Sequence, residues 1–371
     1  MGTISFARGV PAPECLPVEE LADCARAAIE QGGPAVLSYG PGGGYAPLRG
    51  WIAERCGVEP ERVVLTNGSL QGFVFLAELL APGKRVLVEA PTYDRPLRIL
   101  ARLGADVVAL PIDEEGLDPE VLEQALRDGP PPAFLYTIPT FQNPSGRTLS
   151  AERRRLVLEL AREHEVLVVE DDPYGLVSFD EEPPPTLHEL AGGEGVVHSS
   201  SFSKTIAPGV RVGWFVLPRD LAAEFEAAAV STYISPPFLT EATVFEFLRR
   251  GNFEPNLERV RGLLRARRDA MLAALERELG SRARWSRPAG GYFVWLDLAD
   301  GVDAAEVLER AEAAGVTFVK GVDFFPRGAG GRSSARLAYS FVSPAEIEEG
   351  VARLAAAVAP VGVAVGSSRS P

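Results

Sequence analysis

Short apolar runs alternate with longer amphipathic stretches through most of the chain, from about residue 46 to residue 220. The runs are rich in Val and Leu and have the length of buried strands, whereas the stretches between them repeat apolar residues at helical spacing. Strands are predicted at 63–65, 85–89, 106–110, 133–138, 166–170, 196–200 and 212–217. Helices are predicted at 46–56, from about 69 to 81, and at 94–103, 118–127 and 151–164. This alternation is typical of an α/β protein with a mainly parallel, seven-stranded sheet that helices cover on both faces.

The two ends of the chain have a different pattern. Residues 1–45 are interrupted by Pro and Gly around one short helix near 17–31, so we expect an arm. After residue 218, helices are predicted on both sides of Ser235-Pro236-Pro237, and a long amphipathic helix is predicted at 255–279. A smaller α+β unit follows, with strands at 283–286, 291–298, 317–318 and 335–340 and helices at 303–314 and 343–358. The predicted boundaries are an arm at 1–45, a large domain at 46–275, a small domain at 276–361 and a disordered tail at 362–371.

The composition excludes several function classes. A net charge of -14 argues against binding to nucleic-acid phosphates, which requires a basic surface. The N-terminus lacks the basic and apolar regions of a signal peptide, and no apolar run is long enough to span a membrane. Three His and three Cys without metal-ligand spacing predict reduced thiols and no metal site. We therefore expect a cytoplasmic protein that binds neither nucleic acid nor membranes.

Lysine is rare in this chain, which has 34 Arg but only three Lys, at positions 84, 204 and 320. Arg stays charged, whereas Lys can lose its proton and form a Schiff base with an aldehyde. Lys204 follows the hydroxyl-rich segment Ser199–Ser203, and Arg211 comes seven residues later. An amine between hydroxyl donors and a fixed cation suits an aldehyde cofactor that carries a phosphate. From this segment alone, a surface lysine in a Ser-rich loop remains the alternative.

Polar side chains follow five of the predicted strands at their carboxyl ends, where open α/β sheets bind ligands. These side chains are Ser69, Tyr93, Asn143, Asp171, Tyr174, Ser201 and Lys204. Because the strands are mainly parallel, we expect the set to converge on one edge of the sheet. That convergence favours a functional over a purely structural role for Lys204.

One phosphorylated aromatic ligand accounts for this set. Ser69 at a helix N-terminus, with Ser201 and Arg211, can donate hydrogen bonds to a phosphate. Ser69 also has a structural explanation, as a helix cap.

The remaining residues suit the ring of the same ligand. Tyr93 offers a flat face, and a buried carboxylate at Asp171 needs a partner such as a pyridinium N–H. Tyr174 and Asn143 can hydrogen-bond a phenolic oxygen on the ring. The structural alternatives are core packing for Tyr93, a turn for Asn143 and an ion pair with an arginine for Asp171.

The motifs that contain these residues resemble those of fold-type-I aminotransferases of class I/II, which depend on pyridoxal 5'-phosphate. They are Ser201-Phe202-Ser203-Lys204 through Arg211, Asn143-Pro144-Ser145-Gly146, Glu170–Tyr174, Gly68-Ser69-Leu70-Gln71, Pro91-Thr92-Tyr93 and Arg287–Tyr292. The similarity extends from Ile4 to about Arg353. Within the class, the chain is most similar to the branch of 2-aminoadipate and kynurenine aminotransferases.

The resemblance implies a role for each matching residue. Lys204 would be the catalytic residue that holds the cofactor and moves a proton at the substrate. Arg336 matches the arginine that binds the substrate α-carboxylate, with Asn143 beside it. Tyr39 matches a tyrosine that reaches the cofactor phosphate of the neighbouring subunit, which implies a homodimer with shared active sites. The other cofactor-binding residues would be Ser69, Leu70, Tyr93, Asn143, Asp171, Tyr174, Ser201 and Arg211.

Two positions depart from the family pattern. Many members of the branch have Gly-Gly-x-Pro in the segment that covers the substrate, whereas this chain has Arg8-Gly9-Val10-Pro11. Arg8 would either meet a second carboxylate of an acidic substrate or point to solvent. Lys320 precedes Gly321, where the family often has Pro. These departures leave the amino donor undetermined.

The implied function is transfer of an amino group between an L-amino acid and a 2-oxo acid. Another reaction of the same cofactor, such as decarboxylation, elimination or replacement, is an alternative that would use the same residues. A ligand-sensing domain is a weaker alternative, based on transcription regulators that carry this fold behind a DNA-binding domain. The match starts at Ile4 and the chain is acidic, which disfavours that alternative.

Overall fold

A computed structural model of the protein describes residues 2–358. Its strands are β1 (Ile4–Ser5), β2 (Val63–Thr66), β3 (Arg85–Ala90), β4 (Asp106–Asp113), β5 (Gly116–Leu117), β6 (Phe134–Thr137), β7 (Val168–Asp171), β8 (Val196–Ser201), β9 (Gly213–Val216), β10 (Ala283–Trp285), β11 (Phe293–Leu298), β12 (Val316–Thr317), β13 (Val319–Lys320) and β14 (Ser334–Ala338). Its helices are α1 (Val18–Gly32), α2 (Ala46–Cys56), α3 (Ser69–Leu80), α4 (Asp94–Arg102), α5 (Pro119–Arg127), α6 (Ala151–Glu163), α7 (Leu187–Leu190), α8 (Arg219–Tyr233), α9 (Phe238–Arg249), α10 (Phe253–Glu278), α11 (Ala304–Ala313) and α12 (Pro344–Val358). The strands and helices predicted from apolar periodicity are present, with ends that differ by a few residues.

The large sheet has eight strands in the order β2-β9-β8-β7-β6-β3-β4-β5, rather than the seven that were predicted. The additional strand is β5, a two-residue segment that turns back along the end of β4 and pairs antiparallel with it. It is too short to produce a recognisable apolar pattern. The strands from β8 through β4 run parallel, as predicted, and β9 is antiparallel to both β8 and β2.

The direction of β9 brings distant parts of the chain to one edge of this sheet. Gly213, the first residue of β9, pairs with Ser201 at the end of β8 and with Thr66 at the end of β2. Residues that precede β9 therefore lie beside residues that follow β8 and β2. This register places Arg211 next to the start of α3 and next to the Lys204 segment.

Helices bury the large sheet from both sides. One apolar cluster joins the sheet to α3 through Phe73, Phe75 and Leu76, and another joins it to α5 and α6 through Leu122, Leu126 and Val157. The strand residues Val86, Leu87 and Val88 are fully buried, which explains why this strand has an unbroken apolar sequence.

A second, antiparallel sheet has the strand order β10-β11-β14-β13. The predicted strand 317–318 is instead two short strands separated by Phe318: β12 pairs with β1, and β13 pairs with β14. The first strand of the predicted arm therefore pairs with a strand near the second sheet. In this sheet Arg336 lies opposite Trp295 and Val319.

The predicted domain boundaries remain predictions. Helix α10 runs without a break through residue 275, and its later part packs against α12 in the core of the second sheet. The tail predicted at 362–371 lies outside the described residues. Among the described helices, none is both long and apolar enough to cross a membrane.

Candidate active site

A cavity of about 410 Å³ lies at the carboxyl edge of the large sheet, where it faces the second sheet and the N-terminal segment. It brings together most of the residues singled out in the sequence, namely Ser69, Leu70, Tyr93, Asn143, Asp171, Tyr174, Ser201, Lys204, Arg211 and Arg336. These residues come from six separate segments of the chain. The structure therefore brings these residues together at one edge of the sheet, as expected from the sequence.

Lys204 projects into this cavity between aromatic rings. Its Nζ donates a hydrogen bond of 2.8 Å to the carbonyl oxygen of Gly9, and lies 5.2 Å from the ring centroid of Tyr292. Burial, followed by the positive charges of Arg336 and Arg211, lowers the pKa of Lys204 from its ordinary 10.5 to about 8. A useful fraction of this amine is therefore neutral and nucleophilic near neutral pH.

Ser69, Ser201 and Arg211 form a polar pocket at one end of the cavity. Ser69 is the first residue of α3, so its end of the helix presents free N–H groups. Arg211 adopts a left-handed backbone conformation with φ 52°, and its Nη2 donates to the carbonyl oxygen of Asn67 at 2.7 Å. Gly68 has φ 83°, which favours glycine, and a side-chain carbon there would lie 2.4 Å from that nitrogen and displace the guanidinium. The helix end, the hydroxyls and the guanidinium together suit a phosphate.

Asp171 has one carboxylate oxygen without a partner. Its Oδ2 accepts a 2.7 Å hydrogen bond from the hydroxyl of Tyr136, whereas the buried Oδ1 has no hydrogen-bond partner. Burial, with Asp172 adding to it, raises the pKa of Asp171 to about 6, although the bond from Tyr136 opposes this. A buried acceptor of this kind calls for a cationic donor such as a protonated ring nitrogen.

Arg336 lies on β14 of the second sheet and lines the same cavity as Asp171. Its Nη1 donates to Asn143 Oδ1 at 3.0 Å and its Nη2 donates to the carbonyl oxygen of Ala7 at 2.9 Å. Its guanidinium carbon lies 4.3 Å from the ring centroid of Phe293, and its buried Nε has no hydrogen-bond partner. The group is thus held in a fixed orientation and retains donors for a carboxylate.

Three residues singled out in the sequence do not line the cavity. Tyr39 has 78% of its surface exposed, and Lys320 lies at the end of β13 opposite Ala335. Arg8 is exposed, and its guanidinium carbon stacks 4.0 Å from the ring centroid of Phe341. The assigned roles of all the site residues, Arg8 included, stay predictions.

The sequence matches the family described as aminotransferase class I and II over residues 14–354. The chain belongs to this family. It is 40% identical over 365 residues to the 2-aminoadipate transaminase of Thermus thermophilus, an alignment that covers 96% of this chain and 90% of that protein.

Solved structures of other aminotransferases superpose closely on this one. The α-aminoadipate aminotransferase of Thermus thermophilus, complexed with N-(5'-phosphopyridoxyl)-L-leucine, has a TM-score of 0.92 at 40% identity and covers 96% of this chain and 92% of that chain. The kynurenine aminotransferase of Pyrococcus horikoshii has a TM-score of 0.93 at 34% identity, with coverage of 96% and 91%. These matches confirm the predicted fold type I, the aminotransferase activity and the pyridoxal phosphate cofactor.

The donor and acceptor groups that line the aminotransferase cavity fit those of this cofactor. The unpartnered Asp171 Oδ1 matches the ring nitrogen, Lys204 matches the aldehyde, and the pocket of Ser69, Ser201 and Arg211 matches the phosphate.

Several supporting residues of the aminotransferase site were not singled out in the sequence. Tyr136 holds Asp171, and Gln142 donates from its amide nitrogen to Glu89 at 3.0 Å and to the carbonyl oxygen of Pro91 at 2.7 Å. Glu89 is buried, and burial raises its pKa to about 7. A polar residue at the end of an otherwise apolar strand is the signal that could have identified Glu89.

Proposed function

We propose that Lys204, Asp171 and Arg336 carry out amino transfer between an L-amino acid and a 2-oxo acid. The observation that supports these roles is that the Lys204 amine, the unpartnered oxygen of Asp171 and the Arg336 guanidinium line one cavity of about 410 Å³. A base, an acceptor for a ring nitrogen and a carboxylate donor are three of the groups that amino transfer requires, and the phosphate would lie on Ser69, Ser201 and Arg211.

Each of these residues has a separate task. When bound, pyridoxal phosphate supplies an aldehyde that accepts the amino group and a ring that withdraws electrons. Asp171 Oδ1 accepts from the ring nitrogen and keeps it protonated. Arg336 binds the α-carboxylate of the substrate in two hydrogen bonds and fixes the orientation of Cα. Neutral Lys204 then takes the proton from the substrate Cα as a general base.

The N-terminal segment closes the site from the side of the second sheet. Four backbone carbonyl oxygens hold it: Phe6 O accepts from the Ala338 N–H, Ala7 O from Arg336, Gly9 O from Lys204 and Val10 O from the Ser340 hydroxyl. This segment covers one side of the site, and a covered site strengthens the electrostatic interactions of Lys204 and Arg336 within it. The cofactor would bind Lys204 Nζ, which here donates to Gly9 O, and the substrate carboxylate would bind the Arg336 guanidinium, which here donates to Ala7 O. These two contacts with the N-terminal segment would therefore be replaced as the site is loaded.

The proposal includes a cytoplasmic homodimer in which Tyr39 acts in the site of its partner. Large apolar side chains are exposed near Tyr39: Leu37 is 62% exposed and Ile234 is 54% exposed. Gly40 N donates to Ser235 Oγ at 3.3 Å, so the Tyr39 segment and the Ile234 turn are adjacent. Burial of this patch against a second subunit would remove apolar surface from water.

Addition of an L-amino acid to the cofactor-loaded protein, without any 2-oxo acid, tests the proposal. We expect the cofactor absorbance to shift to that of its amine form, with release of the matching 2-oxo acid, and to return when a 2-oxo acid is added. Lys204→Ala should abolish this cycle. A protein that releases carbon dioxide or eliminates a side chain while the cofactor stays in its aldehyde form would instead belong to a different reaction class.

A further inference from the structure

A buried ion pair lies next to the strand end that carries Asp171, and the chemistry above does not use it. His198 on β8 is the strand partner of Glu170 on β7, and its Nδ1 lies 3.3 Å from Oε2 of Glu170. Glu170 is completely buried, and His198 is 7% exposed. We propose that His198 is a positioning residue that acts through Asp171: it stays a cation and thereby keeps Asp171 ionised for the ring nitrogen of the cofactor. This inference rests on the proposed aminotransferase function.

The contacts of Glu170 hold this side chain as an anion. Its Oε1 accepts from the N–H of Leu187 at 2.7 Å, and its Oε2 accepts from the N–H of His188 at 3.0 Å. Burial by itself raises the pKa of Glu170, but the hydrogen bond and charge of His198, together with these two N–H groups, outweigh burial and lower it. A buried carboxylate is costly unless it is paired, and His198 supplies the pairing charge.

The same contacts keep His198 protonated. Burial by itself lowers the pKa of His198, but the hydrogen bond and charge of Glu170, with the charge of Asp172, outweigh burial and raise it above the ordinary 6.5. His188, whose ring centroid is 5.8 Å away, behaves in the opposite way, since burial and then the charge of His198 lower its pKa to about 4. One histidine of this pair is therefore a cation where the other is neutral.

Several titratable and charged groups surround the His198 ring and its partner. They are Glu170 and Asp172 at the end of β7, His188 and Glu189 on α7, Arg55 and Cys56 on α2, and Arg62 and Arg154, whose charges act on His188 and Glu170 respectively. The carboxylates closest to the ring favour its protonated form, and the arginines act on their own neighbours in the cluster.

His198 does not line the cofactor cavity. Successive side chains of a strand point to opposite faces of the sheet, so Asp171 and its β8 partner Ser199 face one side, and Glu170 and His198 face the other. His198 lines a separate cavity of about 150 Å³ instead. Its influence on the cofactor therefore passes through the pairing of β7 with β8 and through electrostatics, rather than through contact.

The charge of His198 lowers the proton affinity of Asp171. Burial raises the pKa of Asp171 to about 6, and the hydrogen bond from Tyr136 and the charge of His198 both oppose this rise. Without the imidazolium, the three consecutive carboxylates of Glu170, Asp171 and Asp172 would have one cation fewer beside them. Asp171 would then hold its proton to a higher pH, and a protonated Asp171 no longer favours a protonated ring nitrogen.

Pyridoxal phosphate labelled with nitrogen-15 in its ring tests this role in the loaded protein, because the chemical shift of that nitrogen distinguishes a protonated from a neutral ring. In the unmodified protein at pH 6.5 the ring should be protonated. In His198→Gln we expect the ratio of protonated to neutral ring to fall about tenfold, since one pKa unit on Asp171 is tenfold in that ratio. His188→Phe removes the neutral histidine of the same cluster and should leave the chemical shift unchanged.

Nitrogen-15 labelling of the histidines gives an independent readout in the unmodified protein. The chain has three His, at positions 164, 188 and 198, so single substitutions assign every signal. At pH 6.5, where an ordinary histidine is half protonated, His198 should be mostly imidazolium and His188 should be neutral. Glu170→Gln removes the pairing carboxylate, so His198 should become neutral and the cofactor ring should change in the same direction as in His198→Gln.

Three results would overturn the proposal. They are a neutral His198 at pH 6.5 in the unmodified protein, an unchanged ring-nitrogen shift in folded His198→Gln, and an equal change in His188→Phe, which would indicate an effect of packing instead of charge. If no amino donor converts the cofactor in the unmodified protein, the proposed function itself fails, whereas the two nitrogen-15 measurements still decide the role of His198.

Discussion

Nη1 of Arg336 lies 3.0 Å from Oδ1 of Asn143, and this hydrogen bond joins the second sheet to a loop of the large sheet directly above the cavity. Asn143 follows β6, and Arg336 lies within β14, so the two residues belong to different sheets. The contact fixes the guanidinium that is proposed to bind the substrate. It also makes the geometry of the substrate site depend on how the two sheets pack.

Arg336→Lys should lower kcat/KM for every amino donor by about 100-fold, because a lysine cannot make paired bonds to a carboxylate and each charge-assisted bond contributes roughly 1.5–3 kcal/mol. Steady-state kinetics with several donors measures the effect. Arg284→Lys, at an exposed position of β10 in the same sheet, is the matched control and should keep the activity of the unmodified protein. Equal kinetics for both variants would remove Arg336 from the substrate site.

Gln142→Leu should lower both stability and turnover. The side chain of Gln142 bonds Glu89, Pro91 O and the N–H of Ser145, so its loss leaves buried groups unpaired at roughly 1–3 kcal/mol each. These contacts also fix the loops that carry Tyr93 and Asn143, and kcat should fall together with the midpoint of thermal unfolding.

The exposed Gln124 provides the control for that experiment. Gln124→Leu removes an amide that bonds Asp128 at the surface of α5, and it should change stability by no more than about 0.5 kcal/mol. If Gln142→Leu unfolds at the same temperature as Gln124→Leu, the network of Glu89 and Gln142 does not support the site.

The rate of cofactor capture should depend on pH through Lys204. Only the neutral amine attacks an aldehyde, and the pKa of Lys204 is lowered to about 8 by burial and by Arg336 and Arg211. The rate, measured by stopped-flow absorbance on cofactor-free protein, should therefore rise with pH and level off above about pH 8, whereas a lysine with an ordinary pKa would still gain rate near pH 10.

Nα-acetyl-lysine, measured in parallel, corrects for protonation of the cofactor itself. The ratio of the protein rate to the free-amine rate should be largest below pH 8 and should decline as the free amine loses its proton. A constant ratio across this range would contradict a lowered pKa of Lys204.

Mixed dimers can show whether Tyr39 acts across a subunit interface. Tyr39→Phe should weaken cofactor binding about tenfold through the loss of one hydrogen bond to a charged phosphate. In a dimer of one Tyr39→Phe subunit and one Lys204→Ala subunit, a shared architecture gives one complete site, because the second subunit supplies an intact Tyr39. Cofactor binding in that site should return to the unmodified affinity. Retention of the tenfold defect would indicate that Tyr39 acts within its own subunit, or not at all.

The large sheet and most of the candidate site could be predicted because their signals are local. Each buried strand produces an apolar run, and the polar residue that follows it marks the edge where ligands bind. Polar residues in these positions after a strand include Lys204, Asp171 and Asn143. The motifs around them resemble those of class I/II aminotransferases. The parallel order of the strands then brings these positions together without further information.

The parts that could not be predicted depend on contacts between distant segments. The contact of Lys204 with Gly9 joins residues that are 195 positions apart in the sequence, and no pattern near either residue indicates it. In the sequence, Tyr136 cannot be distinguished from other aromatic residues of buried strands. Only the structure shows that its hydroxyl donates to Asp171. Strand β5 is only two residues long, which is too short to produce a recognisable apolar pattern.

The assignment of Lys204 as the residue that holds the cofactor is tested most directly by a chemical label. Reduction of the cofactor-loaded protein with borohydride makes the bond between the cofactor and its lysine permanent, and peptide mass spectrometry then locates the added mass. The chain has three lysines, at positions 84, 204 and 320, so the result is unambiguous. We predict that the phosphopyridoxyl mass lies on the peptide with Lys204, at one label per chain. A label on Lys84 or Lys320, or a protein that binds the cofactor without any label after reduction, would contradict the account.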